Sequence, residues 1–225
     1  MNDYYHISKL NKLKFQFKDC KLINKNYSQA YQDMFVLSML DGKRNGYFVE
    51  IGTFHPTEIS NTFLLENEFG WSGVSIDINN IHGFESQRKS KLIVQNALEI
   101  DYKKLFEDNN MPIDIDYLQI DIEPAHNTLE CLKKIPFDKY NFSVITYETD
   151  YHNSSIEIRN ESRQIFKSNG YELIGGDICN ADIDLPFEDW YVKKDKIDEI
   201  IFNIFLNPEF NNTAEKFILK NNEQP

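Results

Sequence analysis

Residues 47–77 constrain the fold more than any other part of the chain. Two short apolar runs, residues 47–51 and 74–76, are rich in β-branched and aromatic side chains and bounded by glycine, as buried strands are. Between them lies a helical segment, so the unit reads as strand, helix, strand with the right-handed crossover that joins parallel neighbours. The first strand closes around Glu50 and the second on Asp77. Ligands of such units collect at the carboxyl ends of the strands, and an acid ending the second strand commonly accepts hydrogen bonds from ribose hydroxyls. The turn after the first strand offers only Gly52, whereas a pyrophosphate fingerprint needs three glycines for a tight turn and close backbone approach. A nicotinamide-dependent oxidoreductase is therefore disfavoured. A nucleoside without phosphates fits, S-adenosyl-L-methionine being the foremost example.

The rest of the chain continues the alternation. Residues 1–27 are polar and irregular and are expected to pack on the edge of the core. Ser28 is expected to cap a helix in which Tyr31, Met34, Phe35 and Met39 recur at helical spacing up to Gly42, with Gln29, Gln32 and Asp33 on its polar face. Beyond Gly52, Ser60 is expected to cap a helix running to about Phe69, whose first turn would offer free N–H groups to a carboxylate. Asn61 lies in that turn, where capping and ligand contact are equal alternatives.

Residues 92–94 form a third apolar run ending in Gln95, Asn96 and Ala97. That amide and small residue either read an adenine edge and clear its ring, or make a turn. Residues 101–109 are a charged helix or loop. Residues 115–120 read as a fourth strand ending in Asp121, Ile122 and Glu123, and Pro124 suits the first position of the next helix. The fifth strand, residues 142–147, is unbroken in its apolar character, which suggests cover on both faces. A helix over 156–168 follows, then strands at 171–174 and 190–193 separated by an acidic stretch over 177–189. The tail carries one amphipathic helix through Ile197, Ile200, Ile201, Ile204 and Phe205, then a frayed polar end. The division is a packed extension over 1–27, a core domain over 28–194 and a helical tail over 195–225. The fold class is an open α/β sheet.

With these residues assembled, the chain resembles the FkbM-type S-adenosylmethionine-dependent methyltransferases over residues 28–193. The resemblance rests on Ser28 and Gln29 with Gln32 and Asp33, on Phe48 to Gly52, on Ser60 to Thr62 with Leu65 and Glu66, and on Gly70 to Gly73 running into Ile76 and Asp77. It continues with Asn96 and Ala97, with Tyr117 to Glu123, with the strand end at Glu148, and with Glu188 to Val192. It implies a class I methyltransferase fold: a Rossmann-like, seven-stranded, mostly parallel sheet with helices on both faces and the last strand antiparallel. It also implies O-methylation of a hydroxyl on a saccharide or small metabolite. The chain departs from the family pattern at Phe54, His55 and Pro56, at Pro124 and His126, and at Thr149 and Asp150.

Methyl transfer to an alcohol needs an aligned acceptor and a base that takes its proton. Asp121, ending the central fourth strand, is the first candidate, with capping of the following helix as an equal alternative. His152 and His126 are further candidates, because imidazole titrates near neutrality; each also reads as a surface histidine. Glu50, Gly52, His55, Ser60, Asn61, Asp77, Asn96, Ala97 and Asp121 are the expected cofactor contacts. Asp121, Glu148 and Asp150 could hold Mg²⁺, which the pattern allows without favouring, and no metal ligand set is assigned. The formal charge of −12 opposes nucleic-acid backbones and anionic lipid, the three cysteines lack any close pair, and no apolar run approaches a spanning length. A cytoplasmic protein with a hydroxylated acceptor and no nucleic-acid or membrane partner is expected. The alternative function is a non-catalytic module that binds the nucleoside and has lost the transfer chemistry.

Overall fold

The structure, a computed structural model, describes residues 12–179, 185–206 and 213–220. The chain runs α1 (Gln32–Met39), β1 (Tyr47–Ile51), α2 (Phe63–Phe69), β2 (Ser72–Asp77), α3 (Phe84–Gln87), β3 (Lys91–Val94), α4 (Tyr102–Asp108) and β4 (Asp114–Ile120). It continues α5 (Ala125–Leu132), β5 (Asn141–Glu148), α6 (Ile156–Ser168), β6 (Glu172–Cys179), β7 (Pro186–Val192), α7 (Glu199–Phe205) and α8 (Ala214–Ile218). The strands form one sheet in the order β3-β2-β1-β4-β5-β7-β6. Neighbours from β3 to β5 are parallel, while β7 runs antiparallel to both β5 and β6. This is the fold class expected from the sequence, down to the antiparallel last strand.

Alternate residues of the central strands serve opposite faces. Phe48, Tyr117, Val144 and Trp190 pack with Phe35 of α1, Leu64 and Leu65 of α2, Phe205 of α7 and Phe217 of α8. Ile51, Leu118, Ile145 and Tyr147 pack with Phe106 of α4, Leu129 of α5 and Phe166 of α6. Cover on both sides is why these strands read as unbroken apolar runs. Among the described residues, no helix is long and apolar enough to cross a membrane. Cys20, Cys131 and Cys179 are buried, and none of them forms a disulfide.

Several element ends differ from the sequence reading, each for a local reason. Ser28 does not cap α1, which starts at Gln32 after Tyr31 in a left-handed conformation. Its hydroxyl instead donates to Asp33 (2.6 Å), whose carboxylate also accepts from the N–H groups of Tyr27 (2.7 Å) and Met34 (2.8 Å), so the motif builds the chain's entry into the helix. Ser60 lies further ahead of α2 than expected, yet its Oγ accepts from Phe63 N at 3.1 Å. Pro124 is the residue before α5, not its first position.

The acidic stretch is partly strand: Asp177, Glu188 and Asp189 are buried in β6 and β7, because Arg159 and Arg163 of α6 pair with the two aspartates and Trp190 donates to Glu188. The tail is ordered further than foreseen, since α8 seats Phe217 and Ile218 in the core and Leu219 bridges to Leu13 near the start of the described chain. His6 and residues 180–184, 207–212 and 221–225 lie outside the described residues.

Candidate active site

The strand order reverses at β1 and β4: the chain steps outward from β1 to β2 and β3, then returns to the other side of β1. A crevice opens outside the carboxyl ends of strands at such a point. Here it is a cavity of about 400 Å³, within the range of small-molecule sites. Gly52 and Phe54 follow β1 along its lining, Asp77, Ile78 and Asn79 come from the end of β2, Asn96 to Leu98 follow β3, and Asp121 to Glu123 follow β4. Gly52, Asp77, Asn96, Ala97 and Asp121 are thereby brought together.

Gly52 has φ +90°, and a Cβ there would stand 1.6 Å from the Asp121 carbonyl oxygen, so no other residue lets the two strand ends approach so closely. One oxygen of Asp77 accepts from Asn79 N at 2.7 Å, and the other has no partner among the described residues. Asn96 accepts from Leu98 N at 3.0 Å, which resolves it as the cap of the turn over 97–99 while it also lines the cavity. Phe54 and Ile78 are 78% and 65% exposed on this lining, so the described residues leave two large apolar side chains largely uncovered.

Behind the cavity stands a group of carboxyls. Asp121 and Glu148 stand side by side at the ends of β4 and β5, one step beyond the paired residues Ile120 and Tyr147, where two buried carboxylates disfavour each other's charge. Burial raises Asp121 above the ordinary carboxylate range, the bond from Glu148 works against that rise, and the charges of Glu123 and Glu50 add to it. Burial and the charge of Asp121 push the Glu148 carboxyl up as well. Glu123, Glu148 and Asp150 bring carboxylate oxygens within 4.8 Å of one another. Hard cations take such oxygens, but this trio differs from the foreseen set by having Glu123 in place of Asp121, and the Glu148 proton competes with a cation.

Further in, Glu188 of β7 is buried and accepts from Trp190, and Gln32 of α1 lies near enough to lower its carboxyl. Two segments far apart in the sequence, around Gln32 and around Glu188, thus close the same end of the sheet.

The remaining predicted residues do not line the cavity. Glu50 is buried beneath it, accepting from Thr53 Oγ1 (3.1 Å) and Ser75 Oγ (2.7 Å). His55 turns its Nδ1 onto Thr57 N (3.2 Å) and Glu58 N (3.0 Å), and Asn61 is buried ahead of α2. Both ring nitrogens of His152 are engaged, Nδ1 with the Pro186 carbonyl (3.2 Å) and Nε2 with Asn153 Nδ2 (2.8 Å), while His126 is exposed on α5. Of the group first singled out for proton transfer, Asp121 alone reaches the cavity. Phe54, Ile78, Leu98 and Asn127 line it without having been singled out; an apolar residue directly after the strand-end acid was the available signal for Ile78.

No protein-family model matches the chain, and no curated protein matches it in sequence. Solved structures do match. One from Clostridium thermocellum, provisionally assigned as an rRNA methylase, aligns with TM-score 0.50 and 12% identity over 76% of this chain and 97% of its own. An rRNA methylase from Streptococcus thermophilus aligns with TM-score 0.47 and 15% identity over 72% of this chain and 93% of its own. A protein of the NADB-Rossmann superfamily from Streptococcus agalactiae aligns with TM-score 0.48 and 12% identity over 74% and 69%. At such identities the likeness speaks of architecture alone: the chain has the Rossmann-like, seven-stranded fold of class I methyltransferases, with β7 antiparallel between β5 and β6.

Proposed function

We propose that this protein is an S-adenosylmethionine-dependent methyltransferase that transfers the methyl group to a hydroxyl of a saccharide or small metabolite. The observation that carries the reading is the cavity at the strand-order reversal, where a half-free Asp77 carboxylate, uncovered Phe54 and Ile78, and the Asp121 side chain line one space. Asp77 holds the ribose hydroxyls through its unpartnered oxygen, and Ile78, Leu98 and Phe54 offer apolar contact to a base ring. Ala97 leaves room where a larger side chain would intrude. A dinucleotide is served poorly, since α2 begins only at Phe63 and Gly52 does not open a helix directly, as a pyrophosphate turn does.

When bound, S-adenosylmethionine supplies an electrophilic methyl carbon: a C–O bond forms to the acceptor as the C–S bond breaks, and the electron pair stays on sulfur. Asp121 accepts the proton that the acceptor hydroxyl gives up. Glu148 stands beside Asp121 at the end of β5, and burial of the two carboxyls raises the affinity of Asp121 for that proton. A positioned base of this kind contributes about 10² to 10⁴-fold.

Titration calorimetry with S-adenosylmethionine is the direct test. Binding is expected in the micromolar range, weakened about tenfold or more in Asp77→Ala, as the loss of a charged hydrogen bond worth ~1.5–3 kcal/mol requires. Absence of binding at millimolar ligand would overturn the reading. Transfer of labelled methyl to a panel of hydroxylated saccharides then tests the chemistry. Asp121→Asn is expected to lose about 10²-fold or more in kcat while it still binds the donor.

A further inference from the structure

The segment between Gly52 and α2 supplies Gly52 and Phe54 to the cavity, yet it contains no regular helix or strand and one of its residues, Ile59, has φ +53°. Something must hold it, because each irregular residue that is ordered costs about 1–2 kcal/mol of backbone entropy. The holder is a side chain from another part of the chain. Arg88 follows α3, and its side chain is fully buried.

Its Nη1 donates to the Pro56 carbonyl (3.0 Å) and to Ser60 Oγ (3.3 Å), and Nη2 donates to Thr62 Oγ1 (2.7 Å). Nε lies 3.2 Å from Glu66 Oε1, and Nη1 lies 4.0 Å from Glu50 Oε2. Glu66 answers by accepting the backbone N–H groups of Lys89 (2.6 Å) and Ser90 (3.0 Å), so the two partners grip one another's segments. The rings of Phe48, Phe63 and Phe84 surround the guanidinium at 5.2–5.9 Å. A planar fork with five donors suits this set of oxygens, and a lysine's single ammonium cannot reach all of them.

We infer that Arg88 is a positioning residue for ligand binding: by clasping Pro56, Ser60 and Thr62 against Glu50 and Glu66, it holds the loop that carries Gly52 and Phe54 in the shape the nucleoside needs. Arg88 touches no ligand, and the cavity lining does not include it. The inference rests on the reading that the cavity binds S-adenosylmethionine, and its test separates the two.

Arg88→Lys keeps the charge and removes the fork. The folded variant is expected to bind S-adenosylmethionine at least tenfold more weakly than wild type, and amides of residues 53–60 are expected to exchange hydrogen at least tenfold faster while those of β4 and β5 are unchanged. In Arg88→Ala, millimolar methylguanidinium is expected to restore part of the affinity, which a general loss of stability would not allow. Should position 88 tolerate no change, Thr62→Val removes one clasped oxygen at nearly constant volume, and a smaller change in the same two readouts is expected. Affinity within twofold of wild type together with unchanged exchange over 53–60 would overturn the inference. If wild type itself fails to bind S-adenosylmethionine, the methyl-donor reading falls, and the exchange measurement alone decides the role of Arg88.

Discussion

Glu188 shows how a single buried group ties the site to stability. It stands on β7 between Gln32 and Trp190, and burial pushes its carboxyl up to about 8; the Trp190 hydrogen bond opposes the rise, and the charge of Asp121 adds to it. An unfolded glutamate titrates near 4.3. Between those two values the folded protein binds more protons than the unfolded chain, so this contribution is fully present below about pH 4 and is lost as pH climbs toward 8. The slope for one such proton is at most about 1.4 kcal/mol per pH unit. The melting temperature of wild type is therefore expected to fall from pH 5 to pH 8 more steeply than that of Glu188→Gln, whose side chain keeps an oxygen for Trp190 and cannot ionise. Thermal melts of both proteins at four pH values decide it, and parallel curves would remove Glu188 as the cause. The same arithmetic gives Asp121 and Glu148 their direction: both carry raised carboxyls, so the cluster as a whole favours the acid side of neutrality.

At the level of elements, two helices that supply nothing to the cavity lining, α8 and α6, steady the strands and loop beside it. α8 is a short helix, yet Phe217 is 1% exposed, its ring lies edge-on to Trp190 (5.2 Å) and to Phe35 of α1 (6.0 Å), and those residues flank Glu188 and Gln32. Removing that ring leaves a cavity that the surrounding aromatics cannot fill. Phe217→Ala is expected to cost about 3–5 kcal/mol, read from urea unfolding midpoints. A loss below ~1 kcal/mol would mean that α8 does not dock as described. α6 plays the matching part on the other face: Arg163 holds Asp189 through paired bonds of 2.7 and 2.8 Å, and Arg159 holds Asp177 and lies over the Tyr151 ring at 3.8 Å. Tyr151 sits in the loop that also carries Asp150 and His152, so this ion-paired helix anchors the acidic turn after β5.

For the molecule as a whole, a formal charge of −12 with a carboxyl group at the mouth of the cavity opposes a polyanionic acceptor. No retardation of single-stranded or duplex RNA is expected at about 150 mM salt, the regime in which non-specific binding still reaches 10⁻⁴–10⁻⁶ M for basic proteins. A tight shift would move the acceptor from small hydroxylated molecules to nucleic acid.

The strands and most helices were legible because burial on two faces demands unbroken β-branched and aromatic runs, and β1 and α6 keep the bounds that pattern predicts. The meeting of Asp77 and Asp121 at one edge was legible because each ends or directly follows such a run, with Asn96 and Ala97 two and three residues beyond another, and parallel register carries run ends to one edge of the sheet. The crowding of Asp121 against Glu148, the clasp of Arg88, and the meeting of Gln32 with Glu188 were not legible, since each joins residues that local pattern leaves unrelated. Sequence alone determined the order of the strands, most of the helices between them and which acids end the central strands, because those follow from local periodicity. Only the tertiary structure decided which acids crowd one another, which charges are paired in the interior and what holds the cavity's loop, because desolvation and pairing depend on neighbours that folding alone supplies.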